Sequence, residues 1–211
     1  LIFSTFSSLG ISIIFTLINY FLIVVGVLIF HAVFTYSLLL TSLVKINPII
    51  FFTKMREAII FAFSTSSSSA TMPVTLKTVE EKLGVDKSVS SFCIPLGTTI
   101  NMDGTAIMQG VATVFIAQVY QVDLSMMEYL MVIITATLAS IGTAGVPGVG
   151  LIMLAMVLQQ VGLPVEGIAL IIGVDRLLDM LRTAVNVSGD ATISCIVANS
   201  ENQLSRKDFI S

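Results

Sequence analysis

The chain has 211 residues, of which 55 % are hydrophobic and only 11 % charged, with a formal net charge of −3. Soluble domains carry about 25 % charged residues, so an ordinary soluble enzyme or binding module is excluded and a membrane protein is predicted. No clustering of basic with aromatic residues is seen, which argues against nucleic acid as a partner.

The first charge is Lys45, so 1–44 carries none. The chain opens on Leu1 in hydrophobic sequence already in progress, without a basic, cleavable leader, which predicts a piece of a longer membrane protein. One helix is expected over 12–44, because a run of that length reaches roughly 50 Å and crosses a bilayer at a tilt. His31 stands mid-helix in "VLIFHAVF" with no partner motif and reads as structural. Pro48 stops any continuation.

Residues 47–84 place the serine run "STSSSSATMP" between short arms at 49–63 and 74–83. Arms of about 10 to 15 residues reach roughly 15 to 22 Å, short of the ~30 Å hydrocarbon core. Such a segment enters the membrane and turns back. A second spanning segment, 88–121, carries one charge, Asp103, inside "GTTINMDGT", where Gly97, Asn101 and Gly104 predict a broken helix. Residues 126–162 are apolar but interrupted at 140–150 by "SIGTAGVPGVG", which again leaves two short arms. The last segment, 165–197, holds Asp175, Arg176, Asp179, Arg182 and Asp190. Cys93 and Cys195 lie in apolar stretches and read as small buried hydrophobes rather than a disulfide or metal ligands.

The order is helix, hairpin, polar-centred helix, hairpin, polar-centred helix, and "NMDG" at 101–104 is echoed by "NVSGD" at 186–190. Lys45, Lys54, Arg56, Lys77, Lys82 and Lys87 lie in the connections at 45–57 and 77–87, and Arg206 and Lys207 in the tail. The connections at 120–128 and 162–166 have no Lys or Arg. The positive-inside rule makes the first group cytoplasmic and the second external. The hairpins then enter from opposite sides, the signature of an inverted-topology repeat. The expected fold is an all-α membrane protein: an inverted repeat of two re-entrant helical hairpins and interrupted transmembrane helices. Its parts are a spanning helix (1–45), the first hairpin with the unwound helix (46–122), and the second hairpin with the polar-striped last helix and cytoplasmic tail (123–211).

Asp175, Asp179, Arg182, Asn186 and Asp190 are spaced 4, 3, 4 and 4 apart, which puts them within an arc of roughly 80° on one helix face. Each ionisable group at mid-membrane costs at least about 2.5 kcal/mol and marks a candidate functional site; structural ion pairs between packed helices are the competing reading. Three carboxylates against Arg182, with Asp103 in addition, leave surplus negative charge that calls for cations. Hard oxygen donors suit sodium or a proton better than a soft transition metal. A planar guanidinium at Arg182 suits a carboxylate, Asp179 an ammonium, and the Asn186 amide a second carboxylate. Together they complement an acidic amino acid.

The motifs "SSSSATMP", "NMDGT", "SIGTAGVPG" and "DMLRTAVNVSGD" resemble, in order and spacing, those of the dicarboxylate/amino acid:cation symporters, which include the excitatory glutamate transporters and their bacterial and archaeal relatives. The resemblance implies a mobile transport domain with substrate held between two hairpin tips. It implies substrate contacts at Ser68, Thr105, Asp179, Arg182, Thr183 and Asn186, with Val146 and its neighbours closing over the substrate as the external gate. Sodium would be held at one site by Gly97, Asn101, Asn186 and Asp190. A second site would use backbone around Thr99, Ser140, Ile141 and Thr143, and a third Asn101 and Asp103 with residues of an upstream helix. Sodium is the coupling ion and no enzymatic cofactor is implied. A homotrimer built through N-terminal scaffold helices, multi-pass in a plasma or inner membrane, is the family expectation. One departure stands out: relatives carry a second arginine at the position of Ser66 or Met180, and Arg176, four residues before Met180, is the candidate replacement.

The expected function is therefore sodium-coupled uptake of glutamate or aspartate by alternating access. C4-dicarboxylate, neutral amino-acid and proton-coupled symport are the alternatives, with a passive channel as a further class. An intramembrane aspartyl hydrolase using Asp103 and Asp190 is a remote one.

Overall fold

The structure, a computed structural model, describes residues 12–206. These are helical almost throughout and contain no strand, only an isolated antiparallel bridge between Val85 and Leu204. Lys207, counted above among the tail's charges, and residues 1–11 lie outside the described residues.

The first helix, α1, runs over 12–44 without a break, as its composition predicts, but not uniformly. It is α-helical over Ser12–Phe30, π-helical over His31–Tyr36, α-helical over Ser37–Leu39 and π-helical again over Leu40–Val44. Lys45, at φ 60°, ends it. The open carbonyls at its end are met from elsewhere in the chain: Asn199 Nδ2 donates to Leu43 O at 3.2 Å, and Arg206 Nη2 to Val44 O at 2.9 Å.

Asn47 then caps α2 (Pro48–Thr65), accepting from Ile49 N–H, with Pro48 at the first turn where its missing N–H costs nothing. The chain reverses at Ser66 (φ 52°) and Ser67, and Ser67 caps α3 (Ser68–Glu81) by accepting from Ala70 N–H. The turn is thus tighter than the serine run suggests. Ser68 and Ser69 already belong to the second arm, which begins six residues before the expected position 74. Pro73, inside that arm, removes the donor that would have bound Ser69 O.

Asp86 caps α4 (Lys87–Ile100), and the helix breaks at Asn101 and Met102 before α5 (Asp103–Val119). A capping box between Ser125 and Glu128 starts α6 (Met126–Ile141). Gly148, at φ 81°, supplies the left-handed turn before α7 (Val149–Gln160). A short 3₁₀ turn, Val165–Gly167, leads into α8 (Ile168–Ser200).

Two apolar clusters hold these helices together. One joins α1, α5, α6, α7 and the first half of α8 through residues such as Leu28, Met108, Ile116, Leu154, Leu158 and Leu178. The other joins the end of α1, α2, α3, α4 and the second half of α8 through Leu40, Phe51, Met55, Val79, Ile94 and Ala191. Helix α8 belongs to both, and it packs against α1, α2, α3, α4, α5 and α7. Its second half is rich in small residues, with Gly189, Ala191, Ser194, Cys195 and Ala198 buried, which lets neighbouring backbones approach closely. Buried polar residues of the site lie on α8 from Asp175 to Asp190, where the two clusters meet.

Candidate functional site

The site is organised by Arg182, whose side chain is only 1 % exposed. Its Nη2 donates to Asp179 Oδ1 at 2.9 Å and to Asp175 Oδ2 at 3.4 Å. Nη1 stands 3.0 Å from Asp175 Oδ1, an ion pair without hydrogen-bond alignment, and neither Nε nor Nη1 finds a hydrogen-bond acceptor among the described residues. A buried unsatisfied donor costs about 1–3 kcal/mol, so this guanidinium gains from an added carboxylate. Two glycines make room beside it. A side chain at Gly150 would press on Thr105 and Met108 and come within 3.7 Å of Nη1, and one at Gly104 would meet Arg182 O at 2.8 Å. Gln109 reaches the same spot, donating from Nε2 to Gly150 O at 3.3 Å, while its Oε1 and the Tyr20 hydroxyl are buried with no hydrogen-bond partner among the described residues.

Asp179 also ties the site to the break between α6 and α7. Its Oδ2 accepts from Gly148 N–H at 3.1 Å, and its backbone O accepts from the Thr183 hydroxyl at 2.8 Å. One turn along α8, Asn186 Oδ1 accepts from Gly104 N–H at 2.8 Å and Nδ2 lies 3.2 Å from Met102 Sδ. The unwound step at 101–102 is what exposes that N–H to a side chain of another helix. The two turn regions also meet. Gly145 O accepts from the Ser67 hydroxyl at 2.7 Å and from Ser69 N–H at 3.0 Å. A side chain on Gly145 would meet Ser69 Oγ and Thr98 O at about 3 Å, so the glycine is required by the close approach.

The expected substrate residues Thr105, Asp179, Arg182, Thr183 and Asn186 are thereby gathered around one face of α8, all buried except the partly exposed Asp179. Ser68 is buried at the start of α3, next to the residues that grip Gly145. Val146 sits beside that contact and is 47 % exposed.

Of the expected sodium residues, Gly97, Asn101 and Asp190 converge. Asn101 Nδ2 donates to Asp190 Oδ1 at 2.8 Å, and a Cβ on Gly97 would overlap that carboxylate. The close approach leaves no room for a side chain at Gly97, and the Asp190 carboxylate is a hard oxygen donor of the kind a small hard cation takes. Ser140 and Thr143 are buried, but their hydroxyls donate to Thr137 O and Ala139 O, and Thr99 and Ile141 are exposed. Where α4 approaches this turn it is Thr98, through its carbonyl, that lies against Gly145.

Asn101 and Asp103 make no side-chain hydrogen bond to each other among the described residues, Asn101 being turned to Asp190. Asp103 turns instead to α1, where Oδ2 accepts from His31 Nε2 at 3.0 Å and from the Tyr36 hydroxyl at 2.8 Å. His31, read from the sequence as structural and without a partner motif, thus has a partner in Asp103. The only histidine meets the only carboxylate of α4 and α5 outside the capped ends. Asp175 was visible on the polar stripe, and its spacing of seven from Arg182 placed it two turns away on one face. Tyr36 and Gly148 carried no such signal. Arg176 is exposed and makes no ion pair or hydrogen bond with the described residues.

Residues 1–200 match the sodium:dicarboxylate symporter family. The chain is 48 % identical over 187 residues to excitatory amino acid transporter 1 of Rattus norvegicus, covering 88 % of this chain and 34 % of that protein. It is 47 % identical over 190 residues to excitatory amino acid transporter 3 of Oryctolagus cuniculus (90 % and 36 %), and 47 % identical over 178 residues to an excitatory amino acid transporter of Caenorhabditis elegans (84 % and 35 %). The chain spans about a third of the length of these curated relatives. Both family and relatives are transporters rather than enzymes, which sets aside the aspartyl hydrolase. Asp103 and Asp190 also face different partners.

Proposed function

The chain belongs to the sodium:dicarboxylate symporter family, and from that premise we propose that it carries the substrate and cation sites of a transporter coupling sodium to uptake of glutamate or aspartate. The observation that carries this reading is the buried Arg182 guanidinium, ion-paired with Asp175 and Asp179 and with its Nε and Nη1 lacking a hydrogen bond among the described residues. The substrate's side-chain carboxylate takes the open edge of Arg182, its ammonium takes Asp179, and its backbone carboxylate takes the Asn186 amide. Ser68, Thr105 and Thr183 complete the polar wall.

Charge explains the coupling. Asp103, Asp175, Asp179 and Asp190 against Arg182 leave a deficit of positive charge, and an acidic amino acid adds one more negative charge. In a medium of low dielectric that excess must be met before the load can move. Sodium held by Gly97, Asn101, Asn186 and Asp190, by backbone around Thr99, Ser140, Ile141 and Thr143, and by Asn101 and Asp103 with residues of an upstream helix supplies it. Substrate ammonium also competes with Gly148 N–H for Asp179, which links occupancy of the site to the turn containing Val146, the external gate. In this reading 46–122 comprises a re-entrant hairpin and the helix broken at 101–102, 123–211 comprises a second hairpin of opposite orientation with the polar-striped last helix and the tail, and 1–45 is a spanning helix. Helix α8 itself runs unbroken over Ile168–Ser200, so the expected interruption is confined to the 101–102 step. Phe15–Val44 is long and apolar enough to cross a membrane. Alternating access, residence as a multi-pass protein in the plasma or inner membrane, and homotrimer assembly through N-terminal scaffold helices belong to the same proposal.

Counterflow in proteoliposomes made with the full-length protein tests it. Liposomes loaded with unlabelled aspartate are predicted to accumulate labelled aspartate transiently, and only with sodium present. Simple equilibration without overshoot would instead indicate a passive channel.

A further inference from the structure

The π-helical turn His31–Tyr36 lies in the middle of an otherwise apolar helix, opposite Asp103. In an α-helix residues five apart point about 140° away from each other, whereas the wider π turn bonds i to i+5 and stacks them on one face. His31 and Tyr36 are five apart. Their rings lie edge to face with centroids 4.9 Å apart, and both donate to the same oxygen of Asp103, Oδ2. No hydrogen bond among the described residues reaches Oδ1. The Tyr36 hydroxyl also lies 3.2 Å from Val185 O, and the side chain is 2 % exposed. Gly189 opens the space between this group and the Asn101 amide: a Cβ there would lie 2.7 Å from both Tyr36 Oη and Asn101 Nδ2.

We propose that His31 and Tyr36 are positioning residues for cation binding at Asp103, and that the π turn in α1 is the device that aims both at it. The inference rests on the reading of Asp103 as a sodium ligand given above. By occupying Oδ2, the two donors fix the carboxylate's rotation and leave Oδ1 as the single oxygen presented to the ion. Partners that orient a ligand in this way set metal affinity, and their removal costs roughly 10- to 100-fold. Tyr36, through its second contact to Val185 O on α8, also keys the carboxylate to the helix that carries Asn186 and Asp190. The occupancy of the two cation sites is thereby linked.

The test titrates sodium, at constant ionic strength with choline, against the melting temperature of the purified full-length protein. Stabilisation by a bound ion follows its concentration relative to Kd, so the half-saturating sodium concentration is read without transport. Tyr36→Phe and His31→Leu are each expected to raise that concentration about tenfold, and His31→Gln, which keeps an N–H donor, to restore much of it. A purely structural role lowers the melting temperature equally at every sodium concentration and leaves the half-saturation point in place, which overturns the proposal. Should Tyr36→Phe not fold, the His31→Leu and His31→Gln pair decides, because His31 is partly exposed and outside the core clusters. Asp103→Asn separates the two layers. If it shifts the sodium response and the α1 variants do not, the clamp is wrong; if it has no effect, the cation reading of Asp103 fails and takes the clamp with it.

Discussion

Arg182 Nη2 and Asp179 Oδ1 lie 2.9 Å apart, three residues from each other on α8. The residue assigned to the substrate's acid group thus holds the residue assigned to its amine. A ligand bearing both charges satisfies the two better than either charge alone, since its carboxylate replaces Asp179 at the guanidinium as its ammonium receives the released carboxylate. A dicarboxylate without an amine would leave Asp179 to be displaced with no new partner.

Asp179→Asn is therefore expected to narrow the preference for amino acids over dicarboxylates rather than abolish binding. Competition of labelled aspartate uptake by succinate measures it. In the wild type succinate is predicted to compete weakly; in the variant its half-inhibitory concentration should approach that of aspartate within about tenfold, equivalent to about 1.4 kcal/mol.

Gly97→Ala should block sodium at the Asp190 cradle, because the added methyl occupies the position of the carboxylate oxygen. The expected result is a rise of tenfold or more in half-saturating sodium for uptake, with the apparent affinity for substrate at saturating sodium changed much less. An unchanged sodium requirement would remove Gly97 from the site.

Ser67→Ala removes one of two donors to Gly145 O. Losing a single neutral hydrogen bond costs about 1 kcal/mol, or roughly a fivefold shift toward separation of the two turns. Reactivity of a cysteine placed at the exposed Val146 reports this, and alkylation is predicted to speed up about fivefold.

Arg176→Ala tests whether this exposed arginine stands in for the second arginine that Ser66 and Met180 lack. The replacement idea predicts weaker binding of acidic substrates, by several-fold, with serine uptake unaffected. Unaltered affinity and rate would dismiss it.

Outside the membrane-spanning segments, the Ser88 hydroxyl and N–H hold the Asp86 carboxyl below the usual aspartate range. A carboxyl with a depressed folded-state pKa contributes stability above its unfolded value and loses it as pH falls through the folded one. The melting-temperature gap between wild type and Asp86→Ala should accordingly be present at neutral pH and close below about pH 4.

How far the sequence disclosed this molecule varies by element. The 12–44 helix, the break at 101–102 and the interruption after 141 were legible because apolar runs, Pro48 and glycine clusters act locally. The polar stripe on α8 was legible because helical spacing is fixed. The start of α3 at Ser68 was not, since serine is equally at home in a turn and as a helix cap. The pairing of His31 with Asp103 was hidden because it joins residues 72 apart through a π turn that sequence periodicity does not encode. A signal did exist: one lone ionisable group in each of two apolar segments suggests that they belong to each other.

The most direct test is sodium-gradient-driven uptake of labelled glutamate, aspartate, serine and succinate by the full-length protein in proteoliposomes, for wild type and Arg182→Cys. Glutamate and aspartate are predicted to accumulate only with inward sodium, and to fall by about 100-fold or more in the variant while any serine uptake stays sodium-dependent. Acidic-substrate uptake that persists in Arg182→Cys, or that ignores the sodium gradient, would contradict the assignment.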